Sequence, residues 1–439
     1  MKKLNKISVN EGEYRIILNY YNRKNFLKTA EQELYSLISA IAGKSVSDKI
    51  KVNGLNKLHL YFDPDYVPFL QVALGKKMNE VMSKQIFYVG VNNINLNKKK
   101  FFYIDQNANY RIIYPFEYAR KSQLKRSIYL SLNLSNYENA DKEIIDAKKK
   151  ALNFQMSNSD ICKIKYFRNL PITCHGHGPH RDTWFGHTFG AINLWWSITG
   201  VNKDSGLTLY PRATKFKIKH INEPTYASSN QFLGKPEIIA LNDGDLLVFD
   251  PEILHATKLN TSKETRIVFS GRINKNKPKF YKETKAAEHP NWFSSEDFKK
   301  NIFNKTHYFY RKGNLTEPPK KKENNLKNYS EIKINKKFSL KSKFSLIDKR
   351  KLEKNKLYKI KFNNLDLCMI SLQGKIKIFH SKCPHLGVSL LDCFLNKNII
   401  TCPGHTLDFN LNNGKSKCKS LKLKLFKVKK KKNQIFLYS

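Results

Sequence analysis

Residues 241–274 read LNDGDLLVFDPEILHATKLNTSKETRIVFSGRIN and contain two apolar runs, DLLVFD and TRIVFSGRI, separated by polar residues and a proline. Short runs rich in Val, Ile, Leu and Phe, bounded by Gly, Asp, Asn and Pro, are typical of β-strands. Upstream, AINLWWSITGV, LTLYP and PEIIAL have the same character. Several short strands with turn residues between them predict an antiparallel sandwich or barrel over residues 160–275.

The flanking regions have different patterns. Apolar residues recur at helical spacing in FLKTAEQELYSLISAIAG (26–43) and YVPFLQVALGKKMNEVM (66–82), whereas FFYIDQNANYRIIYPF (101–116) is strand-rich. A Lys-, Asn- and Pro-rich stretch at 313–340 predicts a linker. Beyond it, the runs LYKIKF, LCMISL, KIKIF, NIITC and IFLYS predict a small all-β unit. We therefore expect a mainly β protein with peripheral helices, divided into domains at 1–312 and 341–439.

Composition excludes several classes of protein. The net charge is +44, but only twelve of the 80 basic residues are Arg, and the lysines are spread along the 439 residues. Because Arg is preferred for reading bases and phosphates, this excess does not predict specific nucleic-acid binding. No uncharged apolar run reaches about 18 residues, and no apolar segment follows the basic start, so we expect neither a transmembrane segment nor a secretory signal. Seven sparse cysteines favour reduced thiols in the cytoplasm.

The strongest local pattern is Cys383-Pro384-His385, followed after sixteen residues by Cys402-Pro403-Gly404-His405. Two thiolates and two imidazoles on two loops can meet at one point, and this ligand set suits an iron–sulfur cluster or zinc. The C-x-H spacing disfavours zinc, because zinc fingers usually have two or more residues between paired ligands. Zinc nevertheless stays open as an alternative on these residues.

These loops resemble the Rieske family over roughly residues 340–439. The resemblance implies a [2Fe-2S] cluster in which Cys383 and Cys402 bind one iron and His385 and His405 bind the other. One departure is Thr406, which stands where the family usually has glycine after the second histidine.

A second set of candidate ligands is more dispersed. His180-Arg181-Asp182 supplies a histidine and a carboxylate, and His255 follows the GDLLVFDP segment. Two histidines and one carboxylate leave three coordination positions open, as a non-haem Fe(II) oxygenase requires. Arg266 lies eleven residues past His255, where its guanidinium could pair bidentately with the distal carboxylate of 2-oxoglutarate. His177-x-x-His180 is an alternative pair, and three further potential ligands crowd the same region: Cys174, His175 and His187.

The combination of His180-x-Asp182, GDLLVFDP with His255, Asn260 and Arg266 resembles the Fe(II)/2-oxoglutarate-dependent dioxygenases, nearest to their phytanoyl-CoA dioxygenase-like branch. The resemblance spans about residues 110–275 and implies a double-stranded β-helix, or jelly-roll. It also implies that His180, Asp182 and His255 bind a ferrous ion while Arg266 anchors 2-oxoglutarate. Asp182 disfavours halogenation, since related halogenases lose this carboxylate to make room for halide.

Together the two resemblances predict a hydroxylase-type dioxygenase that uses Fe(II), 2-oxoglutarate and O₂ on a small-molecule substrate, fused to a Rieske electron-transfer domain. In one alternative, a Rieske-type oxygenase, the cluster passes electrons from a reductase or ferredoxin to the mononuclear iron without 2-oxoglutarate. In another, the chain is a non-catalytic electron carrier whose β domain binds a ligand. Arg266 favours the first hypothesis, as does the domain order, because Rieske-type oxygenases normally begin with the Rieske domain.

Overall fold

The computed structural model describes residues 6–96, 102–106, 108–119, 177–219, 226–228, 231–282, 291–300, 307–308, 315–324, 327–332, 352–362, 365–385, 387–431 and 434–438. The chain divides into two units. The first comprises Met1–Pro211 with Ile238–Pro319, and the second comprises Arg212–Glu237 with Lys320–Ser439. The chain therefore leaves the first unit after Pro211, contributes a segment to the second, and returns at Ile238.

The described helices lie in the first unit: α1 (Arg23–Ala42), α2 (Lys44–Asn53), α3 (Val67–Asn92) and α4 (Ser295–Lys299). Helix α1 buries an apolar stripe at spacings of three and four residues, formed by Phe26, Ala30, Leu34, Leu37 and Ile38. Helices α1 and α3 confirm the two predicted helices, and α3 continues beyond the predicted end to Asn92. Helix α2 was not expected, because KSVSDKIKVN has few apolar residues.

Two sheets form the body of the first unit. The larger has the order β1-β8-β4-β10-β2-β11-β12, with β3 and β13 also paired to β10, and the smaller has the order β7-β5-β9. The strands are β1 (Tyr14–Ile17), β2 (Tyr103–Asp105), β3 (Asn109–Ile113), β4 (Phe189–Thr199), β5 (Leu207–Tyr210), β6 (Phe216–Lys217, in the second unit), β7 (Glu237–Ile239), β8 (Leu246–Phe249), β9 (Leu254–Thr257), β10 (Arg266–Tyr281), β11 (Asn291–Ser294), β12 (His307–Tyr308) and β13 (Leu315–Thr316).

The core of the first unit lies where side chains from both sheets meet. Trp195 of β4, Phe249 of β8 and Val268 of β10 pack with Leu207 and Leu209 of β5. The large sheet is antiparallel at each of its pairings except that of β10 with β13. This arrangement confirms a mainly β protein with accompanying helices, while the jelly-roll connectivity stays a prediction.

Strand β10 places three polar side chains on the face that it turns toward the core. Successive residues of a strand point to opposite faces, so Arg266, Ser270 and Arg272 share the face of the core residue Val268. Asn193 of β4 lies directly opposite Arg272 in the antiparallel register, which places it on the same face. The strand extends well past the predicted run and ends at Tyr281.

The second unit is built from short strands. They are β14 (Lys322–Glu323), β15 (Tyr329–Ile332), β16 (Leu357–Phe362), β17 (Leu365–Leu372), β18 (Lys375–His380), β19 (Phe394–Asn396), β20 (Ile399–Thr401), β21 (Asp408–Asn410), β22 (Leu425–Lys431) and β23 (Gln434–Tyr438). One sheet has the order β15-β16-β17-β18-β22-β23, a second has β19-β20-β21, and β14 pairs with β6. These strands cover each run predicted beyond the linker and confirm a small all-β unit.

The predicted linker, residues 313–340, contains three of the short strands. Strand β13 pairs with β10, β14 pairs with β6, and β15 pairs with β16. The domain boundaries drawn from sequence therefore stay predictions. Within the described ranges, no helix has both the length and the apolar character needed to cross a membrane.

Two candidate metal centres

His180 and His255 face each other across an isolated antiparallel bridge. Each backbone N–H donates to the carbonyl oxygen of the other residue at 2.9 Å. Residues directly opposite in an antiparallel pair carry their side chains on the same face, and the two ring centroids are 4.3 Å apart. A backbone bridge thus brings together two histidines that are distant in sequence.

Asp182 completes this group. It begins a short 3₁₀ turn, and its N–H donates to the carbonyl oxygen of Pro251 at 3.1 Å. Its Oδ1 lies 3.6 Å from Nε2 of His180 and 3.5 Å from Nε2 of His255. All three residues are buried, and their potential ligand atoms lie within 4.8 Å of one another.

Hydrogen bonds to the backbone place a hydrogen on Nδ1 of both histidine rings. Nδ1 of His180 lies 2.7 Å from the carbonyl oxygen of Gly178, and Nδ1 of His255 lies 2.8 Å from that of Ile253. A carbonyl only accepts, so each Nδ1 carries a hydrogen, and Nε2 is the nitrogen of each ring that is left to bind a cation. Burial, followed by the proximity of His255, lowers the pKa of His180 to about 4. Both Nε2 atoms are therefore suited to bind a cation.

The carboxylate of Asp182 is the anionic member of the group. Burial by itself would raise its pKa, but the charge of the Arg272 guanidinium holds the pKa well below its usual range. Two imidazole nitrogens and one carboxylate oxygen, all converging on one point, fit a ferrous ion with open coordination positions.

Arg266 is the buried cation of the same region. It is 1% exposed, and its Nη1 donates to the carbonyl oxygens of Ser205 at 2.7 Å and Gly206 at 3.3 Å. Its Nε is buried and has no hydrogen-bond partner in the described part of the chain. Burial, followed by the charge of Arg111, lowers the pKa of Arg266 to about 9. A guanidinium in this position is suited to receive an anion.

A cavity of about 50 Å³ is lined both by the three-residue group and by Arg266. Its other walls come from both sheets: Arg111, Asn193, Trp195, Leu207, Phe249 and Arg272. The backbone at Gly206 lies so close to β7 that an added Cβ would be 2.0 Å from the carbonyl oxygen of Ile239. Glycine at this position lets the backbone acceptor of Arg266 pack directly against the neighbouring strand.

The alternative ligands have different positions. The ring of His177 lines the cavity and lies 5.3 Å from that of His180, but His177 is not a member of the group within 4.8 Å. Nε2 of His187 lies 3.0 Å from Nη2 of Arg272. Cys174 and His175 fall outside the described residues.

Two residues donate to Asp182. Nδ2 of Asn193 donates to Oδ2 of Asp182 at 2.8 Å, and Nη2 of Arg272 donates to the same oxygen at 3.2 Å. Sequence reasoning missed Arg272, although its even spacing from Arg266 places both on one face of a strand. The position of Asn193 on the strand face of Trp195 suggested a contact with the cosubstrate and not with Asp182.

In the second unit, the predicted ligands lie on two loops that close in the same way. The first loop follows β18, and the N–H of Cys383 donates to the carbonyl oxygen of Val388 at 2.8 Å. The second joins β20 to β21, and the N–H of Cys402 donates to that of Leu407 at 3.0 Å. The loops meet at Gly404, where an added Cβ would lie 3.1 Å from the Val388 side chain. Each loop is thus closed by its own backbone and packed against the other.

The four side chains on these loops come together as two pairs. The thiols of Cys383 and Cys402 are hydrogen-bonded, and this contact, with burial, raises the pKa of Cys402 well above its usual value. The rings of His385 and His405 lie 5.1 Å apart. This arrangement fits a cluster in which one iron binds two cysteines and the other binds two histidines.

Thr406, the departure from the Rieske pattern, has a φ of 50°. It is fully buried, and its N–H donates to the carbonyl oxygen of Cys402 at 3.1 Å. A positive φ is unusual for a β-branched residue, whereas glycine adopts it readily. The loop therefore keeps the conformation that glycine favours while carrying a threonine.

Comparisons with known proteins find the same two regions. Residues 134–268 match the family model for phytanoyl-CoA dioxygenase (PhyH), and residues 342–426 match that for the Rieske [2Fe-2S] domain. No curated protein matches the chain. The reduced complex between oxygenase and ferredoxin in carbazole 1,9a-dioxygenase is 20% identical, with a TM-score of 0.21, over 22% of this chain and 28% of that one. The Sphingomonas yanoikuyae B1 ferredoxin is 18% identical, with a TM-score of 0.21, over 22% of this chain and 99% of its own.

The chain spans less than a third of the oxygenase chain in that complex. The PhyH match includes His180, Asp182 and His255, and the Rieske match includes the two Cys/His loops. These matches confirm the predicted fusion: the chain joins a phytanoyl-CoA dioxygenase-like domain to a C-terminal Rieske [2Fe-2S] domain.

Proposed function

We propose that the protein is an Fe(II)/2-oxoglutarate-dependent dioxygenase of the hydroxylase type. One observation carries the proposal: the buried guanidinium of Arg266 lines the same cavity as His180, Asp182 and His255, and its Nε lacks a hydrogen-bond partner among the described residues. A buried charge without an opposite charge costs several kcal/mol. A dicarboxylate that reached from the metal to Arg266 would supply the missing anion.

The donor set fits this proposal. Nε2 of His180, Nε2 of His255 and Oδ1 of Asp182 would hold a ferrous ion and leave three positions for O₂ and a bidentate keto acid. When bound, the ion and 2-oxoglutarate would supply the oxidation, in which one oxygen atom of O₂ enters succinate, CO₂ is lost, and the other oxygen atom enters the substrate.

The chain's own contribution is placement and exclusion of water. The Nδ1 hydrogen bonds of His180 and His255 hold both rings with their lone pairs toward Asp182. Arg266 presents a planar fork to a distal carboxylate, and Trp195 lies beside it, with 5.8 Å between the guanidinium carbon and the ring centroid. Burial strengthens each of these interactions by lowering the local dielectric constant.

We infer that the second unit holds its [2Fe-2S] cluster through Cys383 and Cys402 on one iron and His385 and His405 on the other. The cluster would supply single electrons, received in the cytoplasm from a reductase or ferredoxin, to return oxidised mononuclear iron to the ferrous form. This use explains a Rieske domain beside a reaction that draws its own electrons from 2-oxoglutarate.

The test uses the full-length chain with its cluster assembled. Anaerobic addition of 2-oxoglutarate to the Fe(II)-loaded protein should produce a metal-to-ligand charge-transfer band in the difference spectrum against protein without added Fe(II). Admission of O₂ should then yield equal amounts of succinate and CO₂ without a reductase.

Other results would select the alternatives. O₂ uptake that requires NAD(P)H and a reductase, and that yields no succinate, would identify a Rieske-type oxygenase. Failure of O₂ uptake under both conditions, with a cluster that still cycles between oxidation states, would identify an electron carrier.

A further inference from the structure

We propose that Arg272 and Asn193 are positioning residues that occupy one oxygen of Asp182, Oδ2, so that the carboxylate offers the metal only Oδ1. The inference rests on the proposed function, because it requires Asp182 to be a metal ligand. It concerns how the ligand is held, which determines how many coordination positions stay open.

The two oxygens of Asp182 have different surroundings. Oδ2 receives hydrogen bonds from Nδ2 of Asn193 at 2.8 Å and from Nη2 of Arg272 at 3.2 Å. Oδ1 instead faces the Nε2 atoms of His180 and His255. A carboxylate can bind a cation through one oxygen or both. Binding through both would here require the loss of two buried hydrogen bonds, one of them charge-assisted.

Arg272 is itself fixed from several directions. Its Nη1 donates to Oδ2 of Asp105 at 3.2 Å, and its Nη2 also lies 3.0 Å from Nε2 of His187. A guanidinium has no acceptor, so Nε2 of His187 accepts and its hydrogen is on Nδ1. His187 is therefore a neutral hydrogen-bond acceptor for the arginine in this arrangement.

The large sheet of the first unit places the residues around Oδ2 of Asp182. Asp105 is on β2, Asn193 on β4 and Arg272 on β10, and all three are buried. Asn193 and Arg272 lie directly opposite each other in the register of β4 and β10. Because opposite residues share a face, both donors reach the same oxygen of Asp182. The arrangement depends on sheet register, whereas the histidines depend on their own bridge.

The chemical consequence is an open coordination sphere. With one carboxylate oxygen and two imidazole nitrogens, a six-coordinate ion keeps three positions, enough for a bidentate keto acid and O₂. If the carboxylate bound through both oxygens, only two positions would remain. Arg272 and Asn193 would thus preserve the third.

The test measures Co(II) binding to the full-length, cluster-loaded chain, with Asp182→Ala as the blank. Loss of a group that orients a metal ligand typically costs about 10–100-fold in metal affinity. We expect Arg272→Gln to weaken Co(II) binding by about that factor, and to alter the visible d–d spectrum as Oδ2 becomes available to the metal. Asn193→Ala should change the Co(II) affinity and the d–d spectrum in the same direction but by less, since Arg272 still donates to Oδ2.

Two further variants separate geometry from charge and from folding. If Arg272 acted only by its charge, Arg272→Gln would strengthen Co(II) binding, and Arg272→Lys would bind Co(II) as the unaltered protein does. If Arg272 positions Asp182, Arg272→Gln weakens Co(II) binding, and Arg272→Lys recovers only part of the lost affinity, because an ammonium lacks the fork of a guanidinium. Arg266→Gln removes a buried arginine from the same strand face, one with no hydrogen bond to Asp182 among those described, and should not weaken Co(II) binding before 2-oxoglutarate is added.

Equal or tighter Co(II) binding by Arg272→Gln and Asn193→Ala, with an unchanged d–d spectrum, would overturn the inference while leaving the metal site intact. If Arg272→Gln does not fold, Asn193→Ala decides by the same criterion. Co(II) binding that is insensitive to Asp182→Ala would instead overturn the proposed function itself.

Discussion

The two candidate metal centres are assembled by different means. The Cys/His side chains of the second unit lie on two loops, each closed by a backbone hydrogen bond within the loop, as between Cys383 and Val388. In the first unit, His180 and His255 meet through a bridge between distant segments, and Arg272 of β10 holds Asp182. One site is determined by local sequence and the other by the packing of a sheet.

This difference predicts how each site responds to substitutions near its ligands. Changes in the sheet of the first unit should disturb its ligand geometry even when no ligand is altered, because Asn193 and Arg272 act through their register. The Cys/His loops should depend mainly on residues within them, such as Gly404 between the loops. Variants at each site therefore test whether the two centres are independent.

The largest expected effect is that of Asp182→Ala. Loss of the only anionic ligand should lower Fe(II) affinity by more than about 100-fold, since loss of an outer hydrogen bond alone costs about 10–100-fold. Succinate formation should disappear, as measured in an anaerobically loaded, single-turnover assay. The Rieske signal in electron paramagnetic resonance should keep its full intensity, because the proposed cluster ligands belong to the other unit. Undiminished succinate formation would remove Asp182 from the ligand set.

The reciprocal variant is His405→Ala. It should abolish the Rieske signal and lower the acid-labile sulfide content, because one iron loses an imidazole ligand. The charge-transfer band of the Fe(II)–2-oxoglutarate complex should persist, which makes each variant the control for the other. A colourless His405→Ala chain that had also lost this band would show that the two centres are not independent.

Arg266→Ala should have an intermediate effect, confined to the cosubstrate. A charge-assisted hydrogen bond contributes about 1.5–3 kcal/mol, and about 1.4 kcal/mol corresponds to tenfold. We therefore expect the 2-oxoglutarate concentration for half-maximal activity to rise by roughly one to two orders of magnitude. Arg266→Lys should recover part of this loss, because an ammonium cannot match the fork of a guanidinium. Turnover that ignores Arg266→Ala and requires a reductase would favour the Rieske-type alternative.

The smallest expected effect is that of Thr406→Gly. A left-handed conformation costs a non-glycine residue about 1–2 kcal/mol, but glycine adds freedom to the unfolded chain worth about 0.5–1 kcal/mol. We expect a small net gain, measured as slower loss of the cluster's visible absorbance on heating. Thr406→Ala keeps a Cβ and should show no such gain. Faster bleaching of the glycine variant than of the alanine variant would mean that the threonine side chain contributes more than its strain costs.

The sequence was informative where structure is local. The Cys/His loops could be recognised because their spacing is short and each loop is closed within itself. His180, Asp182 and His255 required the wider pattern of a strand, a turn and a second strand. Asp105 could not have been found this way, since it reaches Arg272 only through the pairing of β2 with β10.

The fold could be predicted to a similar extent. Strong periodicity indicated helices α1 and α3, and short apolar runs indicated β4, β5 and β8. Helix α2 was missed because it is mostly polar, and β9, which carries His255, was missed because the segment after Pro251 reads as a loop. The short strands within 313–340 escaped notice because a Lys- and Asn-rich composition resembles a linker.

The excursion of Arg212–Glu237 into the second unit has a consequence for how the chain is made. Strand β6 leaves the ribosome well before β14, its partner, has been synthesised. At about 5–20 residues per second, this segment waits several seconds with its pairing edge uncovered. The second unit is thus discontinuous in the order of synthesis, and a fragment that begins after the predicted linker would lack part of it.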